Sequence, residues 1–161
     1  MIENTKIDQE ISIDEKIEII FRAIHSKIMM LYQEYHSMHS LLSDEKSTIE
    51  TINKFHSTID GLKVSLRQEF ELITYVMKDS DKQPIKQVSD NILGLIKEIK
   101  EWMSEYNDRL IDFKKFIEME NTEKIREHID TEYAQLTRLY NKIFNEDNEI
   151  IRDLKILKTA A

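Results

Sequence analysis

The sequence predicts an all-α protein, an antiparallel up-down-up-down four-helix bundle of long, coiled-coil-like helices. Three observations lead there. The 161 residues include two glycines, Gly61 and Gly94, and one proline, Pro84, so the chain is poor in the residues that build turns. Apolar residues recur at spacings of three and four along four stretches, which is the seam pattern of amphipathic helices. Each stretch is roughly 30 residues, about 45 Å as a helix, and the short connections between them favour antiparallel neighbours. The length fits one domain. Residues 12–158 are assigned to a single four-helix bundle domain and 1–11 to an N-terminal tail.

The first seam is Ile17, Phe21, Ile24, Ile28, Leu31, Tyr35, Met38 and Leu42. Ser12 followed by Glu15 reads as a capping box at its start, satisfying free backbone amides. The second seam is Ile52, Phe55, Ile59, Leu62, Leu66, Phe70, Ile73 and Met77. Its rhythm slips between Leu66 and Phe70, because strict spacing would put Glu69 in the core, and a local stutter accommodates this. Ser47 and Glu50 form a second capping box, which favours a turn at 43–47. One unbroken helix is the alternative there, since neither Gly nor Pro interrupts the segment.

"DSDKQP" at 79–84 is the clearest break, with Pro84 in the first turn of the next helix, where its missing amide costs nothing. The third seam is Ile85, Val88, Ile92, Leu95, Ile99, Met103, Tyr106, Leu110, Phe113 and Ile117, with one irregular step beside Trp102. A break at 118–122 offers Asn121 or Thr122 as the cap of the last helix. That helix carries Ile125, Ile129, Tyr133, Leu136, Tyr140, Ile143, Ile150, Leu154 and Leu157, and Asp147 marks a weak layer in its seam. The two glycines fall inside the second and third helices, where each costs about 1 kcal/mol relative to Ala. Close helix packing is one role open to them.

Composition narrows function. With 31 acidic and 23 basic residues the net charge is −8, which repels nucleic acid and anionic membrane surfaces. There is no cysteine, so disulfides, thiolate nucleophiles and Cys-based zinc sites are excluded. The opening "MIENTKIDQEISIDEK" lacks the apolar core of a signal peptide, and no uncharged stretch approaches the ~20 residues of a membrane helix. A cytoplasmic location is expected. No G-x-S-x-G elbow and no Gly-rich phosphate loop occurs, and carboxylates such as Asp147 and Glu149 read as solvated helix surface. The chain is expected not to be an enzyme and to need no cofactor.

Two constellations remain. His25, Met29, Tyr32, His36 and His39 form a second stripe on the first helix beside its apolar seam. This stripe exceeds what one bundle seam needs and is expected to bind a partner, either another protein or a second copy of the chain. The other constellation is a slab. In the predicted bundle His36, His39, His56 and His128 all lie roughly 10 to 16 Å below one end, with Glu132 one turn beyond His128. These five are the candidate metal ligands, since imidazole and carboxylate suit zinc, iron or copper. The Glu-x-x-His pairs of di-iron bundles are absent, as is any His-x-x-x-His pair. His56 follows a seam residue and His128 precedes one, so at least one should turn away from His36. The ordinary reading is that these histidines snorkel at the edge of the core. The expectation is therefore no metal and a non-catalytic helical interaction module, such as an adaptor, assembly factor or small chaperone. A metal-binding or sensory bundle is the alternative.

Overall fold

The structure is a computed structural model that describes residues 12–44, 48–78 and 90–160, with side chains for all of these except 90 and 146–160. Four helices and no strand make up the described residues: α1 (Ile13–Ser43), α2 (Ile49–Lys78), α3 (Asp90–Glu118) and α4 (Thr122–Ala160). The assigned tail 1–11 falls outside the described residues, as do Ser47, Pro84, Ile85 and Val88. No described helix is long and apolar enough to cross a membrane.

Helix ends follow local chemistry. Ser12 caps α1, its hydroxyl accepting from the Glu15 amide at 3.2 Å, and Asp14 and Glu15 face the positive end of the helix. The last turn of α1 has no basic residue of its own. Arg126 on α4 compensates by donating from Nη2 to the Leu42 carbonyl at 3.4 Å. At the start of α2 the Thr48 hydroxyl accepts from the Thr51 amide at 3.2 Å, so Thr48 works as a cap next to the expected Ser47. Between α3 and α4 the amides of Glu120 and Asn121 donate to Ile117 and Phe116, each at 3.0 Å. This is a Schellman closure with Glu120 at φ 52, and Asn121 then caps α4 by accepting from the Lys124 amide at 3.2 Å.

All eight predicted seam residues of α1 are buried. The other helices depart from the predicted rhythm in informative ways. On α2, Val76 is buried and Met77 only partly so, because the helix keeps the phase it acquires at Phe70. On α3, the irregular step widens the seam: Leu95 and Ile96, then Trp102 and Met103, are all buried. On α4 the buried line runs Ile125, His128, Ile129, Glu132, Leu136, Leu139 and Ile143, and Tyr133 and Tyr140 are moved to its flank. The expectation that the histidines sit at the core edge fails for His128, which is inside.

Helix α1 packs along both α2 and α4, α4 also packs on α3, and α2 meets α3 more sparsely than any of these. Partners run in opposite senses along α1 and α4. His25 meets Tyr140, Tyr35 meets His128, and Leu42 meets Arg126.

The glycines do not serve close packing, since a Cβ at either position meets nothing within 4 Å. Gly61→Ala and Gly94→Ala are therefore expected to stabilise the fold by about 0.5–1 kcal/mol each. Glu120→Gly should add about 1 kcal/mol by relieving the left-handed conformation. Urea denaturation of the three variants measures these gains, and a loss at Gly61 or Gly94 would mean that the helix surface there is closed.

Candidate functional site

Among the described residues the core contains a hydrogen-bonded polar layer, and no single helix builds it. Tyr35 on α1 carries a fully buried hydroxyl in an otherwise apolar seam. A buried hydroxyl needs partners. It finds two, Tyr106 Oη on α3 at 2.7 Å and His128 Nε2 on α4 at 2.9 Å. Either tautomer of neutral His128 satisfies this chain. With Nε2 bare, Tyr35 donates to it and accepts from Tyr106; with Nε2 protonated, both donations reverse.

Aromatic rings close the layer. The His128 ring stacks on Phe113 with centroids 4.0 Å apart, and His56 on α2 meets the same phenyl ring at 5.9 Å. Phe55 meets Tyr35 edge-on at 4.9 Å. One turn beyond His128, Glu132 is fully buried. Arg109 on α3 grips it bidentately, with Nε donating to Oε1 and Nη2 to Oε2. Nη2 also donates to Gln135 Oε1 at 3.2 Å. A shallow cavity of about 200 Å³ between α3 and α4 reaches this pair and is rimmed by Asp112, Lys124 and Glu127.

The electrostatics follow from burial. Burial, with the Arg109 charge nearby, lowers His128 to about 3, so it stays neutral at physiological pH. Burial and the Tyr106 neighbour raise the Tyr35 hydroxyl, and burial raises Tyr106. Burial raises the Glu132 carboxyl, while its hydrogen bonds and the charge of Arg109 hold it down. Every group in this network is already bonded to another member. The layer is suited to fixing the mutual placement of three helices rather than to moving a proton at neutral pH.

The histidine slab divides into two pairs. His56 and His128 lie on Phe113, His128 inside and His56 half-buried. His36 and His39 lie on Tyr133 at the outer flank: His36 Nδ1 is 2.9 Å from its hydroxyl, and the His39 ring stacks on it at 4.8 Å. His39 Nε2 also sits 3.4 Å from Asp130 Oδ1. Among the described residues no group of three or more His, Asp or Glu side chains is placed to hold a metal ion.

The stripe expected to meet a partner lies along α4 of the same chain. Tyr32 stacks between Tyr140 at 5.0 Å and Tyr133 at 5.8 Å, and His25 sits 5.7 Å from Tyr140 and 6.4 Å from Phe144. Met29, on the same line, is half-buried. Four residues of the polar layer were not singled out as functional from sequence: Tyr35, Tyr106, Gln135 and Arg109. A usable signal exists for the last. Arg109 and Glu132 stand equally far from the α3–α4 turn, as do Phe113 and His128, so a helical hairpin brings each pair together.

Among the described residues the seam between α2 and α3 holds the larger opening. Two cavities of about 530 and 510 Å³ share Thr74, Lys78 and Lys100 and join into a groove. Its floor is Phe70, Ile73, Ile96 and Met103, its wall includes Met77 and Leu93, and Arg67, Lys78, Lys97 and Lys100 stand around it. Tyr75 and Leu72 lie exposed on the same stretch of α2, at 68% and 49%. Comparison of the chain with protein-family models, curated proteins and solved structures finds no match.

Two predictions follow from the polar layer. Arg109→Met leaves a buried carboxylate without its cation and is expected to cost about 3–5 kcal/mol, whereas Arg109→Met with Glu132→Met should recover most of that loss. A double-mutant cycle by chemical denaturation reads both, and additive losses would show the two residues to be uncoupled. The second concerns pH. Below 6.5 the unfolded chain protonates His128, and the folded chain does so only near 3. The associated stability is present above pH 6.5 and is lost as pH falls toward 3, at up to about 1.4 kcal/mol per pH unit. His128→Gln keeps a partner for Tyr35 and should flatten the slope of stability against pH between 6.5 and 5. Parallel slopes for the two proteins would place His128 in solvent contact.

Proposed function

We propose that the chain is a non-catalytic helical interaction module, an adaptor, assembly factor or small chaperone that receives a helix of another protein between α2 and α3. In this reading residues 12–158 form one domain, an antiparallel up-down-up-down bundle. The opposed order of partners along α1 and α4 and the short α3–α4 turn support that arrangement. The observation that carries the functional reading is the groove. Helix α1 packs closely on α2 and α4, whereas α2 and α3 meet sparsely and leave a trough with an apolar floor. Apolar grooves between helices accept the apolar face of a further helix. The second stripe of α1 is largely taken up by α4, so the partner surface is assigned to α2 and α3 instead. A metal-binding or sensory bundle has less support, because the four slab histidines pair off on two different aromatic rings.

Thr74 lines both halves of the groove, and Thr74→Trp would fill it. The full chain is expected to retain a stoichiometric helical partner when captured from its own cells, and the Thr74→Trp chain to lose it with helicity and melting temperature kept. Capture unaffected by the substitution, or no stoichiometric partner with either chain, would rule the reading out.

A further inference from the structure

We infer that the α2–α3 groove is built for one class of occupant, an amphipathic helix whose apolar stripe is flanked by Asp or Glu. This rests on the interaction reading above and names the partner's chemistry. The groove runs from Arg67 to Lys78 on α2 and from Leu93 to Asn107 on α3. At 1.5 Å per residue those banks are roughly 17 and 21 Å long, which matches three to four turns of an inserted helix. An apolar floor asks for an apolar stripe. The banks then decide what flanks it.

Both banks are basic. Arg67 and Lys78 stand on α2, Lys97 and Lys100 on α3, and the one acid lining the groove is Glu71. The chain as a whole carries −8, so this concentration of cations runs against its average. Elsewhere Lys63, Lys124 and Lys142 pair with Asp60, Glu127 and Glu98, while Lys16, Lys27, Lys54, Lys114 and Lys115 stand without an ion pair among the described residues. Among the described residues none of the four groove cations forms an ion pair. A helix with carboxylates on both sides of its stripe would meet a cation on each bank, and complementary charge of this kind selects partners and fixes register. A bilayer is a poorer match, because a flat surface does not enter a trough between two helices and the remainder of the chain repels anionic lipid.

The test uses the full chain, immobilised, and a library of helical peptides of about 16 residues, enough for four turns. The peptides carry a fixed Leu stripe and flanking positions drawn from Glu, Gln and Lys. Glu is expected to be enriched at the flanks. The selected acidic peptide, labelled and titrated by fluorescence anisotropy, should bind at least about tenfold more weakly to the Lys97→Glu, Lys100→Glu double variant. Added salt should also weaken it, since exposed charges are screened within about 8 Å at physiological ionic strength. Both lysines are exposed, so circular dichroism of the variant should be unchanged. Peptides retained without preference for Glu, or an unchanged Kd in the double variant, would overturn the inference and leave the interaction reading standing. No retained peptide would overturn both. Dimerisation abolished by the double variant would assign the groove to a second copy, and binding of phosphatidylserine vesicles in place of peptide would assign it to lipid. Either result overturns the inference.

Discussion

A carboxylate with no exposed surface must either give up its charge or meet a cation, and Glu132 meets Arg109. That meeting constrains two helices at once. The guanidinium presents its donors in a fixed plane, so a bidentate grip sets the height and the rotation of α4 against α3 together. Gln135 one turn on takes a further donor. One turn back, His128 lies flat against Phe113, and its Nε2 reaches Tyr35 across the core. Apolar seams are permissive about register, because one Ile packs much like another. A polar layer is not, because a slip of one turn would leave a carboxylate, a ring nitrogen and two hydroxyls buried without partners.

The same layer explains why α1 occupies its place. Tyr35 is the α1 residue that touches both α3 and α4 by hydrogen bonds, and its ring also meets Phe55 of α2. On either side of it α1 packs along α2 and α4 over its whole seam. The outer aromatic rank of Tyr32, Tyr133 and Tyr140 seals the α1–α4 side, with His36 and His39 resting on Tyr133. These histidines are neighbours of a tyrosine and not of one another's ligand set. Their common level along the helices is a consequence of helix length, which places no constraint on the direction in which a ring points.

The seam between α2 and α3 differs from the others. The groove with its basic banks lies between α2 and α3 at the level of Phe70 to Lys78. Well-packed elements around one loosely joined pair is an arrangement suited to the proposed reception of a partner helix, since the rigid side of the molecule holds the receptive side open.

Much of this was legible in the sequence. Four helical stretches, the Ser12 and Asn121 caps and the whole α1 seam follow from spacing and capping chemistry, which are local properties of the chain. What was not legible is rotational phase. Leucine-like spacing on α4 pointed to Tyr133 and Tyr140 as core, and tertiary packing turned the helix so that His128 and Glu132 went inside instead. Hydrophobicity alone would never choose a carboxylate for the core. The choice depends on Arg109, 23 residues away, being present to neutralise it. The mixed stripe of α1 was visible as a stripe, but only the position of α4 determined that Tyr32 and His25 would rest against Tyr140 while His36 stays exposed. The groove was invisible for the same reason. Its floor reads as ordinary seam, and a seam becomes a groove only when the neighbouring helix stands too far away to fill it.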